Sequence, residues 1–240
     1  MSMTREAFER IRDAIVSGGL ELGEHLSESA IARALGMSKA PVRAAFIELR
    51  DKGLVMVVPQ SGTYVFSPSA EDVRTMSEFR AVLENQAMRE AYRLRPEVMF
   101  ERLERAVAAM RGAIPAADWD GYRAADNAYH MAFLEECGNP YLLRAYNLTS
   151  STLEALRVRL QGGAGNFRER SFLEHLKMVE LLQAGRIDEA AAVLREHILI
   201  INSWMTDRRF RSDKGTRKQK GEDRDYAAIF ARRRRVTASF

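Results

Sequence analysis

Three of the four histidines, His130, His175 and His197, stand at spacings that could bring their imidazoles together. In DNAYH, Asp126 precedes His130 by four residues, which places a carboxylate and an imidazole on one face of a helix. His175 in FLEHLKMVELL lies ten residues before Gly185, and His197 in LREHILI lies eleven after Arg186. Two helices folded back at Gly185-Arg186 would return both histidines to nearly the same height, because each residue advances a helix by about 1.5 Å. One carboxylate and three imidazoles projecting into a helical interior suit a divalent transition metal, with positions left for water or a chelating ligand. Taken singly, a helical histidine is more often a hydrogen-bonded core or boundary residue, and spacing alone keeps that alternative open.

A second chemistry is suggested by ALGMSKAPVRAAFIEL, residues 34–49. Val42, Phe46 and Leu49 would bury one side of a helix, while Lys39 and Arg43 stand in its first turns. A helix with a packed far end and a cationic leading end can enter a DNA major groove, where lysine and arginine reach phosphates or guanine acceptors. Its N-terminal N–H groups and the hydroxyl of Ser38 also favour a phosphate there. The expected DNA contacts are Ser38, Lys39, Ala40 and Arg43 on this helix and Arg33 on the preceding one, with Gly62 letting a wing approach the minor groove.

These side chains need a frame. Phe8, Ile11 and Ile15 predict a helix over 4–17, stopped by Gly18 and Gly19. Ser27 can cap a second helix that ends at Gly36, and Ser38 can cap the third. LVMVV (54–58) and TYVF (63–66), parted by Pro59, Gln60, Ser61 and Gly62, predict a hairpin. Residues 1–70 therefore read as a winged helix-turn-helix. Residues 71–210 read as an antiparallel bundle of six to seven helices, six of them placed at about 70–94, 96–112, 118–137, 140–160, 170–183 and 187–209. The fold class is mainly α. QGGAGNF lacks the lysine and flanking strand of a phosphate-binding loop and is expected to be a flexible connection.

Composition narrows the possibilities. With 240 residues and 46% hydrophobic side chains the chain can bury a sizeable core. A single cysteine, Cys137, excludes an internal disulfide framework and CxxC motifs, and suits a reducing compartment. The charged N-terminus lacks a signal core and no apolar run approaches the roughly 20 residues of a membrane span, so no membrane association and a cytoplasmic location are expected. The net charge of +4 is unevenly placed. Residues 1–70 carry eight basic and eight acidic side chains, whereas residues 211–240 carry ten and four. That basic tail, which includes four consecutive arginines, is expected to be disordered.

IRDAIVSGGLELGEHLSESAIARALGMSKAPVRAAFIELRDKGLV resembles the DNA-binding domain of the GntR family of bacterial transcription regulators. It departs from that family's pattern at Leu22, Lys39 and Ala40, where proline, arginine and threonine are usual, and at Ala44 and Phe46, where glutamate and leucine are usual. Asp126 to His130, the run from Cys137 to Leu142, Glu174-His175 and Arg195-Glu196-His197 are similar to the metal-containing FCD ligand-binding domain of the FadR subfamily. The resemblance implies that Asp126, His130, His175 and His197 hold a divalent transition metal, zinc first, with nickel, manganese or iron as alternatives. It implies that Arg80, four residues before Glu84 and able to form a local ion pair with it, anchors an anionic effector. His25 matches no ligand position and is expected to be structural or solvent-facing.

Together these features predict a homodimeric, non-enzymatic transcription regulator, a repressor by resemblance. It would bind a pseudo-palindromic double-stranded operator and sense a small carboxylate or sugar acid. Two alternatives stand beside it. Three histidines and a carboxylate could serve a metal-dependent enzyme acting on a small carboxylate, or the histidines could bind the effector without metal.

Overall fold

The computed structural model describes residues 2–161, 167–206 and 224–231, which form two compact units. The first contains Met1–Ser69, Thr149–Arg159 and the described C-terminal residues; the second contains Ala70–Leu148 and Leu160–Asp207. No described helix is long and apolar enough to cross a membrane.

In the first unit, α1 (Met3–Val16) buries Phe8, Ile11 and Ile15 against α3 (Lys39–Asp51), which contributes Val42, Ala45, Phe46 and Leu49. Between them lie β1 (His25–Leu26) and α2 (Glu28–Leu35). Ser27 adopts an extended backbone before α2, and its hydroxyl accepts from the Ala30 N–H at 3.3 Å. This satisfies one of the free donors at the helix start. Gly36 ends α2 in the left-handed region at φ 67°, and the Gly36 and Met37 N–H groups return to the carbonyls of Arg33 and Ala32. The chain then reverses into α3 within three residues. Ser38 precedes α3 with an extended backbone, but its side chain makes no cap hydrogen bond, contrary to the cap predicted for it.

The wing is the hairpin β2 (Val55–Val58) and β3 (Gly62–Val65), in the register Val55↔Val65 to Val58↔Gly62. β1 adds a third strand on the other side of β3, giving the order β1-β3-β2. A two-residue strand has no periodicity to read, so the sequence did not announce it.

Six helices follow: α4 (Ala70–Leu94), α5 (Pro96–Ala113), α6 (Trp119–Glu136), α7 (Pro140–Gln161), α8 (Phe167–Gln183) and α9 (Ile187–Thr206). Pro96 opens α5 at a position where its missing N–H costs nothing. In the second unit α5 packs on α6, α4 on α6 and α9, and α8 on α9. Met88, Leu103, Tyr122, Phe133, Leu182 and Leu194 lie in its core.

Two segments depart from the predicted layout. The second half of α7, expected to serve the helical bundle throughout, belongs to the first unit from Thr149 to Arg159. There Leu153, Ala155 and Leu156 are buried, and the Arg159 guanidinium donates to the carbonyls of Ile15 (3.2 Å) and Leu20 (2.7 Å). Apolar spacing identifies a buried helix face but not the core that receives it. Of the tail expected to be disordered, residues 224–231 are described and include α10 (Tyr226–Ala231), with Tyr226 and Phe230 buried. The rest of the tail and residues 162–166 of the glycine-rich stretch lie outside the described residues.

Gly36 has no atom near the position of an added Cβ, so a substitution there tests the backbone alone. Gly36→Ala should destabilise the first unit by about 1 kcal/mol, the cost of left-handed backbone for an L residue. Urea unfolding of the two proteins checks this; equal midpoints would mean that the turn does not need the left-handed residue.

Candidate functional site

Asp126 and His130 project from one face of α6, His175 from α8 and His197 from α9. All four are buried, and their donor atoms lie within 4.8 Å of one another. His130 Nε2 is 3.5 Å from His175 Nε2 and 3.3 Å from His197 Nε2, and His175 Nε2 is 3.7 Å from Asp126 Oδ1. The four residues that the sequence placed together are brought together, including the two whose convergence required α8 and α9 to fold back at Gly185.

Two of the imidazoles are aimed by glutamates. His130 Nδ1 faces Glu84 Oε2 at 2.7 Å, and His197 Nδ1 faces Glu174 Oε2 at 2.8 Å. An ionised carboxylate only accepts, so each Nδ1 carries the proton and each Nε2 turns a lone pair inward. Burial is the main force pushing the His130 pKa down, to about 4, with the Arg80 charge adding to it against the pull of Glu84. The ring is therefore neutral near pH 7. Tyr129 supports His175 from below, with ring centroids 4.3 Å apart and its hydroxyl donating to the His175 carbonyl.

Lone pairs of neutral imidazoles pointing at one another repel unless a cation lies between them. For a tetrahedral arrangement with bonds of roughly 2.0–2.1 Å, neighbouring ligand nitrogens would be about 3.3–3.4 Å apart. The observed nitrogen separations of 3.3 and 3.5 Å match that edge. The donor set, one carboxylate and three imidazoles with carboxylate partners behind two of them, has the composition of a site that could hold a metal ion.

Glu84 has a second partner. Its Oε1 accepts from Arg80 Nε at 2.5 Å, so one carboxylate joins the guanidinium to the His130 ring. Burial alone would favour the neutral acid, but Arg80 and the His130 N–H outweigh it and hold Glu84 ionised, well below the usual carboxylate range. Arg80 is itself buried, and its Nη2 has no hydrogen-bond partner among the described residues. The local Arg80–Glu84 ion pair was legible from the i, i+4 spacing. The role of Glu84 toward His130 was not, because α4 and α6 share no sequence register, and Glu174 was noticed only as the neighbour of His175.

On the first unit, Arg33, Ser38, Lys39, Ala40 and Arg43 are all exposed. Arg43 makes a two-pronged pair with Glu28 at the start of α2, Nε to Oε2 at 3.1 Å and Nη2 to Oε1 at 3.0 Å. Glu28 lies fifteen residues upstream of Arg43, and no spacing rule pointed to it. Gly62, expected to let the wing approach a minor groove, has φ +132°, and the neighbour that its missing Cβ accommodates lies within the unit, since a Cβ there would fall 2.6 Å from His25 Nε2. His25 is half-buried and packs edge-on to Tyr64, so its place is structural.

The pattern described as "Bacterial regulatory proteins, gntR family" matches residues 3–65, and that described as "FCD domain" matches residues 75–199. The chain is 25% identical to the HTH-type transcriptional repressor RspR of Escherichia coli (strain K12) over 93% of each chain. It is 29% identical to a "Probable D-xylose utilization operon transcriptional repressor" of Paenarthrobacter nicotinovorans, over 79% of this chain and 84% of the relative. Its fold is like that of a GntR transcriptional regulator crystal structure from Rhodococcus sp. RHA1, with a TM-score of 0.73 and 23% identity over 85% of this chain and 98% of that one.

Glu84→Ala should destabilise the full chain by about 3–5 kcal/mol, since it strands a buried guanidinium without its counter-charge. Chemical unfolding monitored by circular dichroism measures this. A loss below about 1 kcal/mol, the scale of an exposed pair, would refute the buried bridge.

Proposed function

We propose, for a chain that belongs to the FCD-domain branch of the gntR family of bacterial regulatory proteins and is a DNA-binding transcription regulator, that it senses a small carboxylate or sugar acid in a metal-containing pocket. The observation that carries this is the pairing of four converging, buried donors with an arginine nitrogen that lacks a partner among the described residues. Asp126, His130, His175 and His197 would hold a divalent transition metal, zinc first, with nickel, manganese or iron as alternatives. Such an ion supplies Lewis-acid positions for a carboxylate oxygen. Arg80 Nη2 would donate to the same anion, with the guanidinium held by Glu84. Glu84 and Glu174 keep the inward nitrogens of His130 and His197 unprotonated.

The regulator acts as a cytoplasmic homodimer and repressor. Two α3 helices would read the halves of a pseudo-palindromic operator, with Ser38, Lys39, Ala40 and Arg43 at the groove, Arg33 on phosphate and Gly62 in the wing. Sensing needs no bond to be made or broken. An effector that favours one arrangement of the dimer by about 1–3 kcal/mol changes operator affinity about 5- to 150-fold.

Elemental analysis of protein purified without chelators or nickel resin should find one metal ion per chain. His175→Ala should weaken its retention by more than the roughly 10–100-fold that loss of an outer partner costs. Unchanged stoichiometry and affinity in the variant would overturn the coordination.

Arg43→Ala should abolish sequence-specific duplex binding, leave weak salt-sensitive binding, and leave metal content unchanged. Electrophoretic mobility shifts against a duplex selected by the full chain from a random pool measure this, and wild-type specificity in the variant would overturn the docking.

A further inference from the structure

The regulator's C-terminal segment is docked within the DNA-binding unit. Arg224 donates from Nη2 to the Gly19 carbonyl at 3.1 Å, and its Nε pairs with Glu24 Oε1 at 3.1 Å. Tyr226 reaches the strand that follows. Its hydroxyl donates to the His25 carbonyl and accepts from the Ser27 N–H, both at 3.3 Å. Those two groups leave β1 on the side away from β3, so the phenol satisfies the free edge of the sheet. Below it, Phe230 is buried, Arg10 of α1 stacks on its ring at 5.7 Å, and Ile229 fills the space beside Gly19. Asp225 caps the short helix, accepting from the Ala228 N–H at 2.9 Å.

Apart from that cap, these contacts fall on α1 or on the loop from Gly19 to Ser27 that delivers the chain into the helix-turn-helix, and α10 packs on α2 as well. Ser27 is itself the cap of α2. A six-residue helix is too short to be stable by itself, so its order comes from this docking. We propose that residues 224–231 are a strap of the DNA-binding unit, which fixes the α1–α2 loop, and with it the start of the helix-turn-helix, in the geometry that binds DNA. The partner for the groove along α1, β1 and α2 is thus the chain's own C-terminal segment, recognised by an arginine, a tyrosine hydroxyl and two apolar side chains. Duplex affinity depends on a sequence far from any residue that touches DNA.

The test compares the full chain with chains ending at Ala231 and at Asp223, and with Tyr226→Phe, Phe230→Ala and Phe230→Leu in the full chain. Amide hydrogen exchange over residues 17–27 and affinity for a duplex selected by the full chain are measured at one salt concentration. Ending at Ala231 removes the arginine run and keeps the strap, so exchange protection should stay. Ending at Asp223 should speed exchange in the loop and weaken duplex binding by about tenfold or more relative to the chain ending at Ala231. Tyr226→Phe should speed exchange chiefly at Ser27. Phe230→Ala should reproduce the effect of ending at Asp223, and Phe230→Leu should retain protection and affinity. Equal protection and equal affinity across the set would overturn the proposal. So would weaker binding with unchanged exchange, which would mark a contribution of charge alone. Protection that falls on dilution would place a second copy's segment in the groove and overturn the assignment to the same chain. Failure of the metal reading would leave all of these outcomes intact.

Discussion

The carboxylate of Glu84 lies where water does not reach, and a charge in such a place persists only if its surroundings replace the lost hydration. Here they do so unequally. Arg80 answers one oxygen with a full positive charge, and His130 answers the other with a single N–H. Because Glu84 is satisfied as an anion, His130 is fixed in one tautomer, and because it takes Arg80 by Nε, it leaves a terminal nitrogen of that arginine without a partner among the described residues. The orientation of a ligand imidazole and the direction of the guanidinium are therefore two results of one ion. In the proposed pocket they form the metal side and the anion side, and neither can be altered without disturbing the other.

The DNA-binding unit is organised by a different constraint, the need to reverse the chain between two helices within three residues. Gly36 makes the reversal, and the apolar face of α3 then holds the helix on α1 so that Lys39 and Arg43 face outward. Arg43 is not idle there. Its pairing with Glu28 ties α3 to the first turn of α2, so in the proposed docking a phosphate or base would compete with a carboxylate for the same fork.

Local features were legible because their geometry is local. Asp126 and His130 sit one turn apart, Ser27 and Gly36 mark the ends of α2, and a hairpin counted from Gly185 brought His175 level with His197. Features joining distant segments were not. Glu84 meets His130 across two helices, Glu28 meets Arg43 across the helix-turn-helix, and β1 exists only because β3 is beside it. The tail misled by its composition. Its excess of positive charge describes most of its length, but Tyr226, Ile229 and Phe230 give one short stretch enough apolar surface to dock. The Ser38 hydroxyl was expected to serve its own helix and does not, which leaves it facing outward with the cationic side chains.

The shared ownership of α7 bears on how such a protein can be divided. A cut after Ser69, the natural place judged by chain order, would yield a fragment lacking Leu153, Ala155 and Leu156 from its interior. It would also strip the Ile15 and Leu20 carbonyls of the Arg159 guanidinium. The reading head is thus not a detachable module. Grafting it onto a foreign sensor would require carrying along a piece of helix encoded eighty residues later, and recombination at the apparent boundary would join a head to a body that cannot complete it.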